Sequence, residues 1–162
     1  MIQAVTQTDI TTYIQTEDNR IDTSVDSSMI RHLVKFTNDM DKAVQYAYST
    51  SHLIYDRYTR FQFTYNATPD VYEGKVDFTP AGYYKYDVYE VAWPSGGAVA
   101  ISAGNAPVNE DDVLPAAPTH GVVQGLVTKG KMYVADKSGP AQVQYTQHEE
   151  PSGQTNYIYY GQ

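Results

Sequence analysis

Cysteine is absent from the 162 residues, which excludes disulfide staples and thiolate metal sites alike. Basic residues are scarce: 11 Lys and Arg stand against 19 Asp and Glu, a formal net charge of −8. They are dispersed along the chain. That argues against nucleic acid as the main partner, because phosphate binding depends on clustered Lys and Arg. No run approaches the roughly 20 apolar residues of a membrane-spanning helix, so no membrane is expected. The opening "MIQAVTQTDITTYIQ" has neither a basic n-region nor a continuous apolar core. No secretory leader is therefore expected, and synthesis in a cytoplasm is. Phe and Trp are few, at 4 and 1.

Tyrosine is abundant instead, with 16 copies. Its apolar ring and polar tip suit a strand position, and they also suit an interface where the ring is buried and the hydroxyl stays wet. The acidic balance keeps such a chain soluble before it assembles. The length predicts one domain with room for a small second element.

Helical periodicity is hard to find. "MIRHLVKFT" (29–37) places His32, Val34 and Phe36 on one side and Arg31, Leu33 and Lys35 on the other. Val44, Tyr46 and Tyr48 repeat at period two, and "TNDMDK" between the two runs is an Asn/Asp-rich turn. Residues 29–49 therefore read as a β-hairpin. "TRFQFTY" (59–65) sets Phe61, Phe63 and Tyr65 against Arg60, Gln62 and Thr64. "GKVDFT" (74–79) alternates again, residues 8–15 offer another strand, and 121–127 with 130–135 offer a pair around "TKG". Short strands separated by Gly, Pro, Asn and Asp turns predict an all-β, antiparallel sandwich or barrel, and the sandwich is the expected form over residues 1–137. Two regions exceed a minimal sandwich. One is a long Ala/Pro/Gly-rich insertion at 93–120, acidic at its centre. The other is the tail 138–162, whose "AQVQYT" and "NYIYY" runs read as a C-terminal β-hairpin or arm.

The densest stretch is "GYYKYDVYEV" (82–91). Alternation puts Tyr84, Tyr86 and Val88 on one face and Tyr83, Lys85, Asp87 and Tyr89 on the other. The first set reads as core and the second as a candidate contact strip. The frame Gly82-x-Tyr84-x-Tyr86 resembles strand F of Ig-like sandwiches, where a Tyr precedes a core Cys by two residues. That resemblance implies a tyrosine corner at Tyr84, with Tyr86 in the place of the Cys.

Motifs for chemistry are thin. His32, His52, His120 and His148 are scattered, with no HxH or HExxH spacing, and His32 reads as a core-rim residue. "NEDD" (109–112) offers hard oxygens but not the spacing of a Ca²⁺ loop, and reads as a solvated tip. In "HEE" (148–150) the adjacent carboxylates would point to opposite faces of a strand, unlike a glycosidase pair. There is no G-x-S-x-G and no P-loop. No catalytic residue, metal site or cofactor is expected, and the protein does not read as an enzyme.

The ordered set "FTND" (36–39), "YDRYTRFQF" (55–63), "YEGKVDFTPAGYYKYDVYEV" (72–91) and "VTKGKMYVAD" (127–136) resembles small structural proteins of tailed bacteriophages. The similarity is to those of phages of Bacteroidetes and marine hosts, including the crAss-like group. It covers about 36–136 and implies an Ig-like sandwich located in the virion. The implied role is capsid decoration or fibre anchoring, with a neck or tail adaptor as the alternative. The implied partners are other virion proteins of the capsid, fibre or neck, together with further copies in a homo-oligomer. The candidate contact residues are Tyr83, Lys85 and Tyr89 on the strip, Trp93 at the head of the insertion, and Tyr157, Tyr159 and Tyr160 in the tail. A carbohydrate-binding module using exposed tyrosines such as Tyr83 and Tyr89 is the rival reading.

Overall fold

Strands form where side chains alternate in polarity, and the turns fall where the sequence carries Asn, Asp, Gly and Pro. A computed structural model describes residues 1–55, 57–94 and 97–139. Its strands are β1 (Ile2–Val5), β2 (Ile10–Ile14), β3 (Ile30–Asn38), β4 (Val44–Tyr48), β5 (Leu53–Ile54), β6 (Thr59–Tyr65), β7 (Lys75–Val76), β8 (Gly82–Ala92) and β9 (Val122–Ala135). The only helical pieces among the described residues are two single 3-10 turns, at Glu17–Asn19 and Ser27–Met29. None of the described helices is long and apolar enough to cross a membrane.

The strands form two sheets. One has five strands in the order β1-β9-β8-β3-β4, and the other runs β2-β6-β5 with β7 also paired to β6. This is an all-β sandwich. The β9-β8-β3-β4 and β2-β6-β5 orders correspond to the G-F-C-C′ and B-E-D sheets of an Ig-like sandwich. The Tyr84 hydroxyl donates to the Pro80 carbonyl at 2.7 Å, closing the corner that the Gly82-x-Tyr84 frame implies. The sheets are mixed, not purely antiparallel as expected, because β1 runs parallel to β9 and β7 parallel to β6.

Three further local readings change. Residues 122–135 form one long strand, not a pair turning at "TKG". Gly130 pairs with Tyr86 inside the ladder, and a Cβ at Gly130 would meet the Tyr86 hydroxyl at 2.5 Å and its ring at 2.6 Å. The glycine leaves room for a ring and does not mark a turn. The 74–79 run keeps its alternation, with Val76 and Phe78 buried, yet only two of its residues pair as a strand. The edge strand β1 was not expected from sequence.

The core lies between the sheets. Ile10 and Ile14 of β2, Val34 and Phe36 of β3, Phe61 and Phe63 of β6, Tyr84 and Val88 of β8, and Met132 and Val134 of β9 meet there. Phe36 is the hub, edge-on to Phe63 at 5.3 Å and to Phe78 at 4.9 Å, a favoured aromatic geometry. Tyr86 is only half-buried and packs on the rim of this core.

The 93–120 insertion makes a second core. Leu33, Tyr48, Val91, Trp93 and Ala106 bury one another on the opposite face of the five-stranded sheet. A segment with no period of its own is thus held by tertiary contacts. The Trp93 Nε1–H donates to the Thr119 carbonyl at 3.1 Å, and the Tyr48 hydroxyl donates to the Pro107 carbonyl at 2.8 Å. Gly121 permits the approach, since a Cβ there would meet the Trp93 ring at 2.7 Å. The residues from 140 onward lie outside the described set, and with them the expected C-terminal hairpin or arm.

Candidate functional site

Along β8 the odd-numbered residues face away from the sandwich interior, and their burial increases steadily. Tyr83 is 54 % exposed, Lys85 is exposed, Asp87 and Tyr89 are intermediate, and Val91 and Trp93 are sealed. The face described by period two is therefore divided into an open half and a half covered by the insertion. Lys85 and Tyr83 belong to the open half. Tyr89 packs against the second core, with Leu126 opposite it in register. Trp93, expected at a contact surface, is fully buried, because the insertion turns back over the sheet and its carbonyls take up the indole N–H. Tyr157, Tyr159 and Tyr160 lie outside the described residues.

The open half acquires members that reading β8 alone does not reveal. Tyr83 pairs in register with Tyr133 of β9, and Tyr133 with Gln3 of β1. The two tyrosine rings tilt together with centroids 5.1 Å apart, and Tyr133 is 39 % exposed. A groove of about 240 Å³ beside them is lined by Gln3, Ala4, Val5, Tyr133 and Ala135. In the next rows Lys85 stands opposite Lys131, and Asp87 opposite Lys129. Lys85 lies 3.6 Å from Asp39, while Lys129 and Lys131 form no ion pair among the described residues. The result is an aromatic pair bordered by three lysines. The sequence signal is the period of two in "TKGKMY", which sets Lys129, Lys131 and Tyr133 on one face of β9.

The acidic centre of the insertion is not a free tip. Glu110 forms an ion pair with Lys35 of β3 and accepts from the Tyr46 hydroxyl of β4. Burial works to raise the Glu110 pKa, but the bonds from Lys35 and Tyr46 prevail and hold it below the ordinary carboxylate value. Tyr46 is pushed up to about 12, by burial first and by Glu110 second. The bond to Glu110 likewise raises Lys35. Asp112 accepts from the Val108 N–H at 2.9 Å, closing the loop locally.

Two histidines that look scattered in sequence are brought together. His32 Nδ1 lies 2.8 Å from His52 Nε2, one ring donating to the other, and both rings are set edge-on to Phe61 at 5.6 Å. His32 is buried at 1 % exposure, in the core itself and not at its rim. Burial drives its pKa well below the usual value, reinforced by His52, Arg31 and Arg20. Burial, with Arg31 second, lowers His52 to about 4. Glu90, opposite His32 in register and fully buried, accepts from the backbone N–H groups of Ile21 at 3.0 Å and Asp22 at 2.8 Å. Its carboxylate anchors the β2–β3 connection to the sheet. Among the described residues no group of three or more His, Asp or Glu is placed to hold a metal.

A second exposed aromatic group lies on the other sheet. Tyr13 of β2 meets Tyr58 edge-on at 5.3 Å, and Tyr58 meets Tyr55 at 4.9 Å. Tyr13 is 60 % exposed, and a depression of about 410 Å³ is lined by Ile54, Tyr55, Arg57 and Tyr58. Alternation along one strand does not reveal this group, because Tyr13 lies on β2 whereas Tyr55 and Tyr58 lie in the connection between β5 and β6.

Comparison with known proteins adds no relative: no family model, no curated protein and no solved structure matches the chain.

Proposed function

We propose that this protein is a non-enzymatic structural component of a tailed-phage virion, a capsid-decoration or fibre-anchoring protein that works by presenting a rigid sheet face to neighbours. The observation that carries the reading is the exposed Tyr83–Tyr133 pair on the open half of the five-stranded sheet, beside exposed Lys85, Lys129 and Lys131. Paired tyrosines on a flat, wet surface offer contact area at small entropic cost, the property of an interface. The groups that elsewhere do chemistry are engaged in structure: His32 with His52, Glu90 with backbone amides, Glu110 with Lys35 and Tyr46. The location in a virion comes from the sequence resemblance, whose segments span β3 to β9. The deciding experiment is mass spectrometry and cryo-EM of purified particles of the encoding phage. The chain is expected at a repeating site, and its absence from complete particles removes the reading.

Carbohydrate binding has one observation in its favour, the Tyr13, Tyr55 and Tyr58 group with Arg57 beside it. Tyr83 and Tyr89 do not form a common platform, since Tyr89 packs under the insertion. Retention on polysaccharide gels that is lost in Tyr13→Ala plus Tyr58→Ala would move the assignment to this sheet.

A further inference from the structure

We infer that the open half of the five-stranded sheet docks a second copy of this chain head-to-tail, through a part of that copy's surface other than the same strip. The inference rests on the reading of this face as a contact surface and names its occupant. Lys85 and Lys131 are direct cross-strand neighbours on β8 and β9, an arrangement in which like charges repel and cost stability. Lys129 follows on the same face two residues before Lys131. Asp39 faces Lys85 at 3.6 Å and Asp87 stands opposite Lys129, so the row is partly offset, yet Lys131 has no ion-pair partner among the described residues. A local arrangement that opposes folding, next to two exposed tyrosine rings, marks a surface shaped by something outside the fold.

Charge identifies the occupant. Three of the 11 basic residues lie here with two of the 19 acidic ones, Asp39 and Asp87, leaving eight basic against 17 acidic over the rest of the chain. Any other region of a second copy is therefore, on average, strongly acidic and complementary to the strip. A two-fold contact of the strip with itself is disfavoured, because it would join two surfaces of like net charge, each with three lysines against Asp39 and Asp87. The contact is thus heterologous, and it propagates to a ring if the rotation closes and to a filament if it does not. The tyrosine pair supplies the dry centre and the lysines the rim, so association should weaken as salt screens the rim, where the Debye length is about 8 Å at physiological strength.

Light scattering and sedimentation of the full chain test this. The wild type is expected to associate at low salt and to dissociate as salt is raised. Lys129→Glu plus Lys131→Glu should weaken association by about tenfold or more. Because only the strip is lost, the labelled double variant should still join and cap one end of wild-type assemblies larger than a dimer, whereas a two-fold contact would stop at a heterodimer. Circular dichroism confirms that each variant is folded. Failure of the variant to join wild type, or association that persists unchanged in it, overturns the head-to-tail inference. If Tyr83→Ser plus Tyr133→Ser abolishes association while the lysine changes do not, the contact surface stands and its charge logic falls. A wild type that stays monomeric yet shifts a single-stranded oligonucleotide through these lysines also overturns it. None of these outcomes decides whether the chain is found in particles, which is read separately.

Discussion

Lys35, in the middle of β3, and Glu110, at the centre of the insertion, form an ion pair over the outer face of the five-stranded sheet, and the Tyr46 hydroxyl donates to the same carboxylate. This contact, with those of Tyr48 and Trp93, turns a loop without internal periodicity into a cover for half a sheet. It also separates the two halves of the face, because the ordered insertion shields Tyr89 and Val91 and leaves Tyr83 and Lys85 open.

Glu110→Ala removes the partner of both Lys35 and Tyr46. The pair is partly solvated, so the global cost should be modest, about 1 kcal/mol. The larger effect is local. Hydrogen exchange across 97–120 should accelerate while the β3 and β8 amides stay protected, the pattern of sub-global opening. Uniform loss of protection over the whole sandwich would show that the insertion is part of the main folding unit.

The corner bond from Tyr84 to Pro80 gives a second test. Tyr84→Phe keeps the ring against Phe78, at 5.6 Å, and removes only the hydroxyl. The expected loss is about 1 kcal/mol, the usual net value of one hydrogen bond. Tyr84→Ala also empties the core position and should cost about 3–5 kcal/mol. Urea unfolding of the pair separates the two contributions, and equal costs would mean that the hydroxyl, not the ring, dominates.

What could be read from the chain and what could not follow from the range of the forces involved. Parity within a strand is local, so Phe61 and Phe63, the 29–49 hairpin and the inward set Tyr84 and Val88 were legible from alternation. The corner at Tyr84 was legible because its acceptor lies four residues upstream. The covering of Trp93 was not, since its partner Thr119 sits at the far end of an Ala/Pro/Gly-rich stretch that carries no periodic signal. The His32–His52 contact was hidden for a similar reason: metal-site spacings describe residues on one element, whereas these two come from β3 and the turn before β5. Gly130 is a different case. Glycine usually signals a turn, but here it accommodates the Tyr86 ring across the ladder, information held only by the neighbouring strand.

Gly121 and Trp93 supply a prediction about that cover. A side chain at 121 meets the indole and Val91 at 2.7 and 2.8 Å, so neither can be avoided by a small shift of a flexible end. Gly121→Val should destabilise by about 1–3 kcal/mol through overpacking. Trp93→Ala should cost about 3–5 kcal/mol. Tryptophan fluorescence reports on both states directly, since Trp93 is the sole tryptophan of the chain. In the wild type its emission should be blue-shifted, and in Gly121→Val it should move toward that of the unfolded chain. An unchanged spectrum in the valine variant would mean that the insertion adapts without releasing the ring.

The buried histidine pair predicts acid sensitivity. Both rings are held below the ordinary value of 6.5, His52 to about 4 and His32 well below 6.5, because burial disfavours the imidazolium and each sits near Arg31. The unfolded chain binds protons at these sites from pH 6.5 downward, while the folded chain does not until near pH 4 for His52. Stability is therefore full above pH 6.5 and declines as pH falls, by up to about 1.4 kcal/mol per pH unit for each histidine. The hydrogen-bonded carboxylates act elsewhere: Asp22, Asp26 and Asp136 are held below 3.8 by bonds from Ser24, Ser28 and Ser138, so their contribution is lost only beneath that value. Urea titrations from neutral pH to about pH 5 thus isolate the imidazoles. His52→Gln, which keeps a polar partner for His32, should reduce the slope in this window by about half. A stability that is flat over the same interval in the wild type would show that the two rings take up protons while the sandwich stays closed.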